Sequence, residues 1–210
     1  MNKLTQHLID EQQTHLRGGI YHKTQVQLAY NSNRIEGSKL TEEQTRYIFE
    51  TRTIGFKDQE AVPVDDIIET SNHFLAFDYL LSTIETPLSN DIIKEFHRIL
   101  KTGTADAQKP YFNVGGWKKL GNEVEGHETC SPDKVENEMS LLTEWYSICL
   151  RNNIMPFVID NNHKMFYYRG LSEYNSTPGF LIETMQSAQD TYAAWLNYFS
   201  PELAEGLAID

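Results

Sequence analysis

The segment from Pro63 to Leu81 constrains the fold most. Proline suits the first turn of a helix. Behind it come Phe74, Leu75, Ala76, Phe77, Tyr79, Leu80 and Leu81. So little polar face remains that the segment reads as a central, buried helix which other helices must surround. The neighbouring segments supply them. Leu4 to Leu16 reads as a polar helix stopped by Gly18-Gly19, and Tyr21 to Arg34 as one with Val26, Ala29, Tyr30 and Asn33 on a stripe. Thr41 followed by Gln44 is a capping box for a helix from Glu42 to Thr51. Ser89 caps the next helix, whose stripe is Ile92, Ile93, Phe96, Ile99 and Leu100. Apolar residues from Val135 to Leu150 recur in steps of three and four, and a short helix spans Asn162 to Tyr174. The last helix, Pro178 to Phe199, carries Leu181, Met185, Ala188, Tyr192, Trp195 and Phe199. That stripe fits either the core or a partner chain.

Between Lys101 and Ser131 the period fails. Gly103, Gly115, Gly116, Gly121 and Gly126 interrupt any helix, and the segment reads as a long loop carrying a β-hairpin over residues 111–129. The predicted fold class is therefore an all-α bundle with a small hairpin.

Composition narrows the function classes. Lys and Arg total 18 against 30 Asp and Glu in 210 residues, a net charge of −12. An acidic field repels phosphates, so no nucleic-acid partner is expected. No apolar run reaches the roughly 20 residues of a membrane span, and the N-terminal residues lack a signal-peptide core. Two cysteines, Cys130 and Cys149, make neither a disulfide framework nor a zinc cluster. These features point to a cytoplasmic protein.

Motifs of common chemistry are missing. The seven histidines show no metal-ligand spacing, and none of the phosphate-binding glycine loops or nucleophile elbows occurs. No catalytic or metal residue is assigned. Two segments stand out instead. In Ser32-Asn33-Arg34-Ile35-Glu36-Gly37, Ser32 and Glu36 share a helical face and Gly37 ends the helix. A carboxylate at a helix C-terminus opposes the macrodipole, so a cationic partner is expected. An ordinary solvated helix end is the plain reading. In residues 111–129, alternation around paired glycines makes an edge hairpin, open to strand addition by an extended peptide. A plain surface hairpin is the alternative.

Together these strings resemble the Fic (filamentation induced by cAMP) domain family, whose members transfer AMP from ATP to a target-protein hydroxyl. Ser32, Glu36 and Gly37 match its inhibitory-helix pattern. Phe112-Asn113-Val114-Gly115 through Asn122-Glu123-Val124 and Glu128-Thr129 resembles the flap hairpin that holds the target segment. Glu125 stands there where glycine is usual, and Cys130 where Thr or Pro is common. The resemblance makes Lys118, Asn122, Val124, Gly126, Glu128 and Thr129 the target-binding flap residues. His163 to Leu171 is similar to the C-terminal helix of one bacterial branch. The implied organisation is N-terminal helices over 1–60, an incomplete Fic core over 61–150 and a C-terminal extension over 151–210.

The family's catalytic string, His-Pro-Phe-x-Asp/Glu-Gly-Asn-Gly-Arg, is absent. It belongs after Tyr146, which is followed directly by Ser147-Ile148-Cys149-Leu150. ATP and Mg²⁺ are implied by the resemblance alone, and no residue here takes over their binding. The expectation is a catalytically inactive scaffold or truncated form, with a target-protein segment at the flap and a possible homo-oligomer. Two alternatives stay open: an active enzyme with a loop donated by a partner or a site of its own, and a helical assembly protein.

Overall fold

The computed structural model describes residues 3–55, 61–124, 127–137, 139, 157–160 and 162–204. The predicted helix from Val135 to Leu150, the Tyr146–Ser147 junction and Gly126 lie almost wholly or wholly outside them. Among the described residues the fold is helical apart from one minimal strand pair, and no helix is long and apolar enough to cross a membrane. The chain divides into two compact units, residues 1–66 with 153–210, and residues 67–152.

The first unit holds α1 (Lys3–Thr14), α2 (Ile20–Ile35) and α3 (Glu42–Thr51), then α6 (Lys164–Ser172), α7 (Gly179–Phe199) and the short α8 (Pro201–Ala204). α1 buries Leu4, Leu8 and Glu11, one stripe at steps of four and three. α3 begins with the reciprocal capping box, Thr41 accepting from the Gln44 backbone while the Gln44 side chain accepts from the Thr41 N–H. α6 and α7 pack as a tight hairpin. A Cβ added at Gly170 would stand 2.7 Å from Leu181 Cα, so only glycine permits this approach.

The stripe of α7 packs in the core of this unit. Leu181, Thr184, Ala188, Tyr192, Ala193 and Leu196 are buried. Met185 and Trp195 are only half-buried, because a 3.6-residue period rotates the buried face toward Thr184 and Leu196. Tyr192 meets α2, its hydroxyl 2.9 Å from Thr24 Oγ1. Burial pushes its phenol up to about 12.

In the second unit lie the residues of α4 (Val64–Thr83) from Ile67 onward, α5 (Asn90–Lys101), a 3₁₀ turn (Asp106–Gln108) and the strands β1 (Glu123–Val124) and β2 (His127–Glu128). The expectation that α4 is buried all round is corrected. It buries Thr70, Phe74, Phe77 and Leu81 at helical spacing, while Leu75 is 50% exposed. An abundance of apolar residues does not oblige every face to be covered. α4 and α5 are tied by Asn72, whose Nδ2 donates to the Leu100 and Thr102 carbonyls at 2.9 Å each. Those carbonyls lie at the C-terminal end of α5, where a helix leaves carbonyls without intrahelical donors. Lys101 adds an ion pair with Glu69 at 2.6 Å.

Candidate functional site

The two sequence segments fall in different units. Ser32, Glu36 and Gly37 form the C-terminus of α2. Gly37 is left-handed at φ 98°, its N–H donates to the Arg34 carbonyl (3.2 Å), and the Ser38 N–H donates to the Asn33 carbonyl (2.9 Å). These two bonds define a Schellman ending. The turn is then anchored by Asp66, which accepts from Ser38 Oγ (3.0 Å) and the Lys39 N–H (2.8 Å). Ser32 is half-buried, and Glu36 is exposed with no ion pair among the described residues. A cation does lie at this helix end, but not on Glu36, for which it was expected. Lys164 Nζ donates to the Ile35 carbonyl at 2.7 Å, so it answers the macrodipole through the backbone and not through Glu36.

The second segment is built on successive turns after α5. The Phe112 N–H donates to the Lys109 carbonyl (3.0 Å), and the Gly116 N–H to the Asn113 carbonyl (2.9 Å). Gly115, at φ 72°, lies against α5, where an added Cβ would come within 3.1 Å of Arg98 Cβ. Its N–H donates to His97 Nδ1 at 3.2 Å, which leaves the ring proton on Nε2 in the neutral form. Desolvation, helped by the Lys101 charge, lowers the His97 pKa. A ring bonded in this way and packed on Phe112 (5.5 Å between centroids) holds the loop.

Between α5 and this loop runs a groove of about 500 Å³, walled by Ile93, Tyr111, Phe112, Trp117 and Leu120, with Lys94, Lys118 and Lys119 on its rim. Lys94 Nζ sits 4.8 Å from the Trp117 ring centroid, a cation–π distance. Trp117 Nε1 is buried and has no hydrogen-bond partner among the described residues.

Lys118, Asn122 and Thr129 converge. Lys118 Nζ donates to Asn122 Oδ1 (2.6 Å) and to the Thr129 hydroxyl, which in turn lies 3.0 Å from the Asn122 carbonyl. β1 and β2 pair antiparallel, Glu123 opposite Glu128 and Val124 opposite His127. Glu128 is exposed and Val124 contributes backbone pairing, so of the predicted residues only Gly126 goes undescribed here. The groove wall from α5 was not anticipated as part of the site. The spacing of Ile93 and His97, four apart, places both on one face and was the available signal.

No protein-family model and no curated protein matches this chain. Solved structures do. A Fic-domain-containing signalling protein from Bacteroides thetaiotaomicron superimposes with a TM-score of 0.63 at 18% identity, covering 97% of this chain and 93% of that one. Fic-1 (residues 134–508) from C. elegans gives 0.65 at 16% identity, covering 93% of this chain and 71% of that one. At such identity the likeness is one of fold, and the chain has the Fic fold.

Proposed function

We propose that this chain is a Fic-fold scaffold without AMP-transfer chemistry, which retains a docking edge for an extended segment of a target protein. The observation that carries the reading is the register of the strand pair. The Thr129 N–H bonds the Asn122 carbonyl at 3.0 Å, so these two residues form a hydrogen-bonded pair. The next pair, Glu123 and Glu128, is then non-hydrogen-bonded, and its N–H and C=O groups point outward. Outward backbone groups on an edge accept a further strand. Lys118, by tying Asn122 to Thr129, holds this edge in shape, and the adjoining apolar groove takes the side chains of the docked segment. In this reading residues 111–129 act as the family's flap.

The loss of chemistry rests on the sequence. AMP transfer needs a base for the target hydroxyl, donors and an arginine for the phosphates, and a carboxylate for the metal. The family draws all of them from one string that these 210 residues lack. The residues present do not fit ATP and Mg²⁺, and no step is routed through them. Ser32, Glu36 and Gly37 keep the form of an inhibitory helix whose carboxylate has no arginine to occupy. The test is incubation with labelled ATP, Mg²⁺ and candidate targets. No transfer of label is expected. Mg²⁺-dependent labelling that disappears when Asn122 and Thr129 are both changed to Ala overturns the reading.

A further inference from the structure

The α6–α7 hairpin carries a second constellation, unrelated to the flap. Asp160 Oδ1 accepts from the backbone N–H groups of Asn162 and His163, each at 2.9 Å, and lies 2.7 Å from His163 Nδ1. The other ring nitrogen, His163 Nε2, lies 3.4 Å from Ser187 Oγ on α7. An ionised carboxylate only accepts, so Nδ1 carries the proton of the neutral ring. Nε2 therefore presents a lone pair to the Ser187 hydroxyl. The order is carboxylate, imidazole, hydroxyl, with the carboxylate fixed by two backbone donors.

These groups border a cavity of about 200 Å³ lined by Phe166, Arg169, Phe180, Glu183 and Thr184 as well as His163 and Ser187. Arg169 is laid over Phe180, its guanidinium carbon 3.8 Å from the ring centroid. The cavity thus has two aromatic walls, Phe166 and Phe180, a hydroxyl beside a base, and a cation, Arg169, which also pairs with Glu173 at 3.1 Å. The close approach at Gly170 and Leu181 keeps α6 near enough to α7 for His163 to reach Ser187.

We propose that Ser187, His163 and Asp160 form a nucleophilic site for short, activated acyl esters. Ser187 Oγ attacks the carbonyl carbon while its proton passes to His163 Nε2. Arg169 stabilises the oxyanion, a role that backbone N–H groups within a helix are not free to take. The bond to the leaving alcohol breaks, and Nε2 returns the proton to the departing oxygen. Water repeats the sequence and releases the acid. The 3.4 Å separation suits a site before substrate arrives, since such bonds are often looser then. Glu183 on the same wall disfavours anionic esters.

The test uses the full chain and a fluorophosphonate probe, which forms an Oγ–phosphorus bond and expels fluoride. One adduct is expected, located on Ser187 by peptide mass spectrometry and absent from Ser187→Ala. His163→Gln should slow labelling about a hundredfold, the scale of losing a general base. Added imidazole should restore labelling to His163→Ala, which a purely structural histidine would not show. An intact protein that forms no adduct at Ser187 overturns the proposal. So does Ser187 labelling that proceeds at the same rate in a folded His163→Gln variant.

Discussion

The Glu11 carboxylate accepts a hydrogen bond from the backbone N–H of Tyr21 at 2.7 Å. Glu11 is only 5% exposed, and its other oxygen lies 3.0 Å from His7 Nε2. Tyr21 is in the first turn of α2, so a buried anion here meets both an unpaired N–H and the positive end of the helix. Glu11→Gln keeps the volume and removes the charge. It should destabilise the protein by about 1–3 kcal/mol, read from urea unfolding midpoints.

Gly19 is explained by the same carboxylate. A Cβ there would come within 2.4 Å of Glu11 Oε1. Gly19→Ala should cost about 1–3 kcal/mol through the forced shift. In the Glu11→Ala background the same change should cost much less, because the clashing atoms are gone. A double-mutant cycle on thermal unfolding measures that coupling.

The end of α2 invites a comparable experiment. Gly37 sits at φ 98°, a region that costs other residues roughly 1–2 kcal/mol. Gly37→Ala should lose about that much, and Lys164→Met should lose about 1 kcal/mol by stripping the Ile35 carbonyl of its cation. Calorimetric melting of both variants checks the pair.

What was legible in the sequence was local. The Thr41–Gln44 box and the Gly37 stop depend on residues three or four apart, and both stand as read. The α7 stripe was legible as a pattern, yet only the tertiary contact with Thr24 places Tyr192 in the core. Three features depend on partners far along the chain, so no window around them could show them. Lys164 caps a helix 129 residues earlier. Glu11 reads as a surface glutamate of a polar helix until Tyr21 packs on it. His97 joins the groove through a loop 18 residues away. In α4 the reason is different: apolar content does not dictate burial, and Leu75, half exposed, shows that the two separate.

His73, in α4, has its pKa lowered to about 4 by desolvation, with the Lys101 charge adding to the effect. The unfolded chain takes up this proton near the ordinary value of 6.5. Below that pH the unfolded state binds more protons, so stability falls as pH drops from about 6.5 toward 4. The full loss is about 3 kcal/mol, at roughly 1.4 per unit. Denaturant midpoints at pH 7 and pH 5 should differ in the wild type. In His73→Phe the difference should shrink by this residue's share, leaving the smaller, same-signed contributions of His22 and His97.

Lys118 separates the shape of the proposed docking edge from the stability of the fold. Its ammonium bridges Asn122 and Thr129, both at the surface end of the strand pair. Exposed polar contacts of this kind contribute little to folding, so Lys118→Ala should shift global stability by less than about 0.5 kcal/mol. Locally the change is larger, because Glu123 and Glu128 stand opposite each other and like charges across a strand pair repel. Amide exchange at Thr129, whose N–H bonds Asn122, should accelerate about tenfold or more while exchange in α5 stays unchanged. Glu128→Lys should act in the opposite sense and slow exchange at Thr129. If Lys118→Ala leaves Thr129 exchange at the wild-type rate, the lysine does not hold the edge.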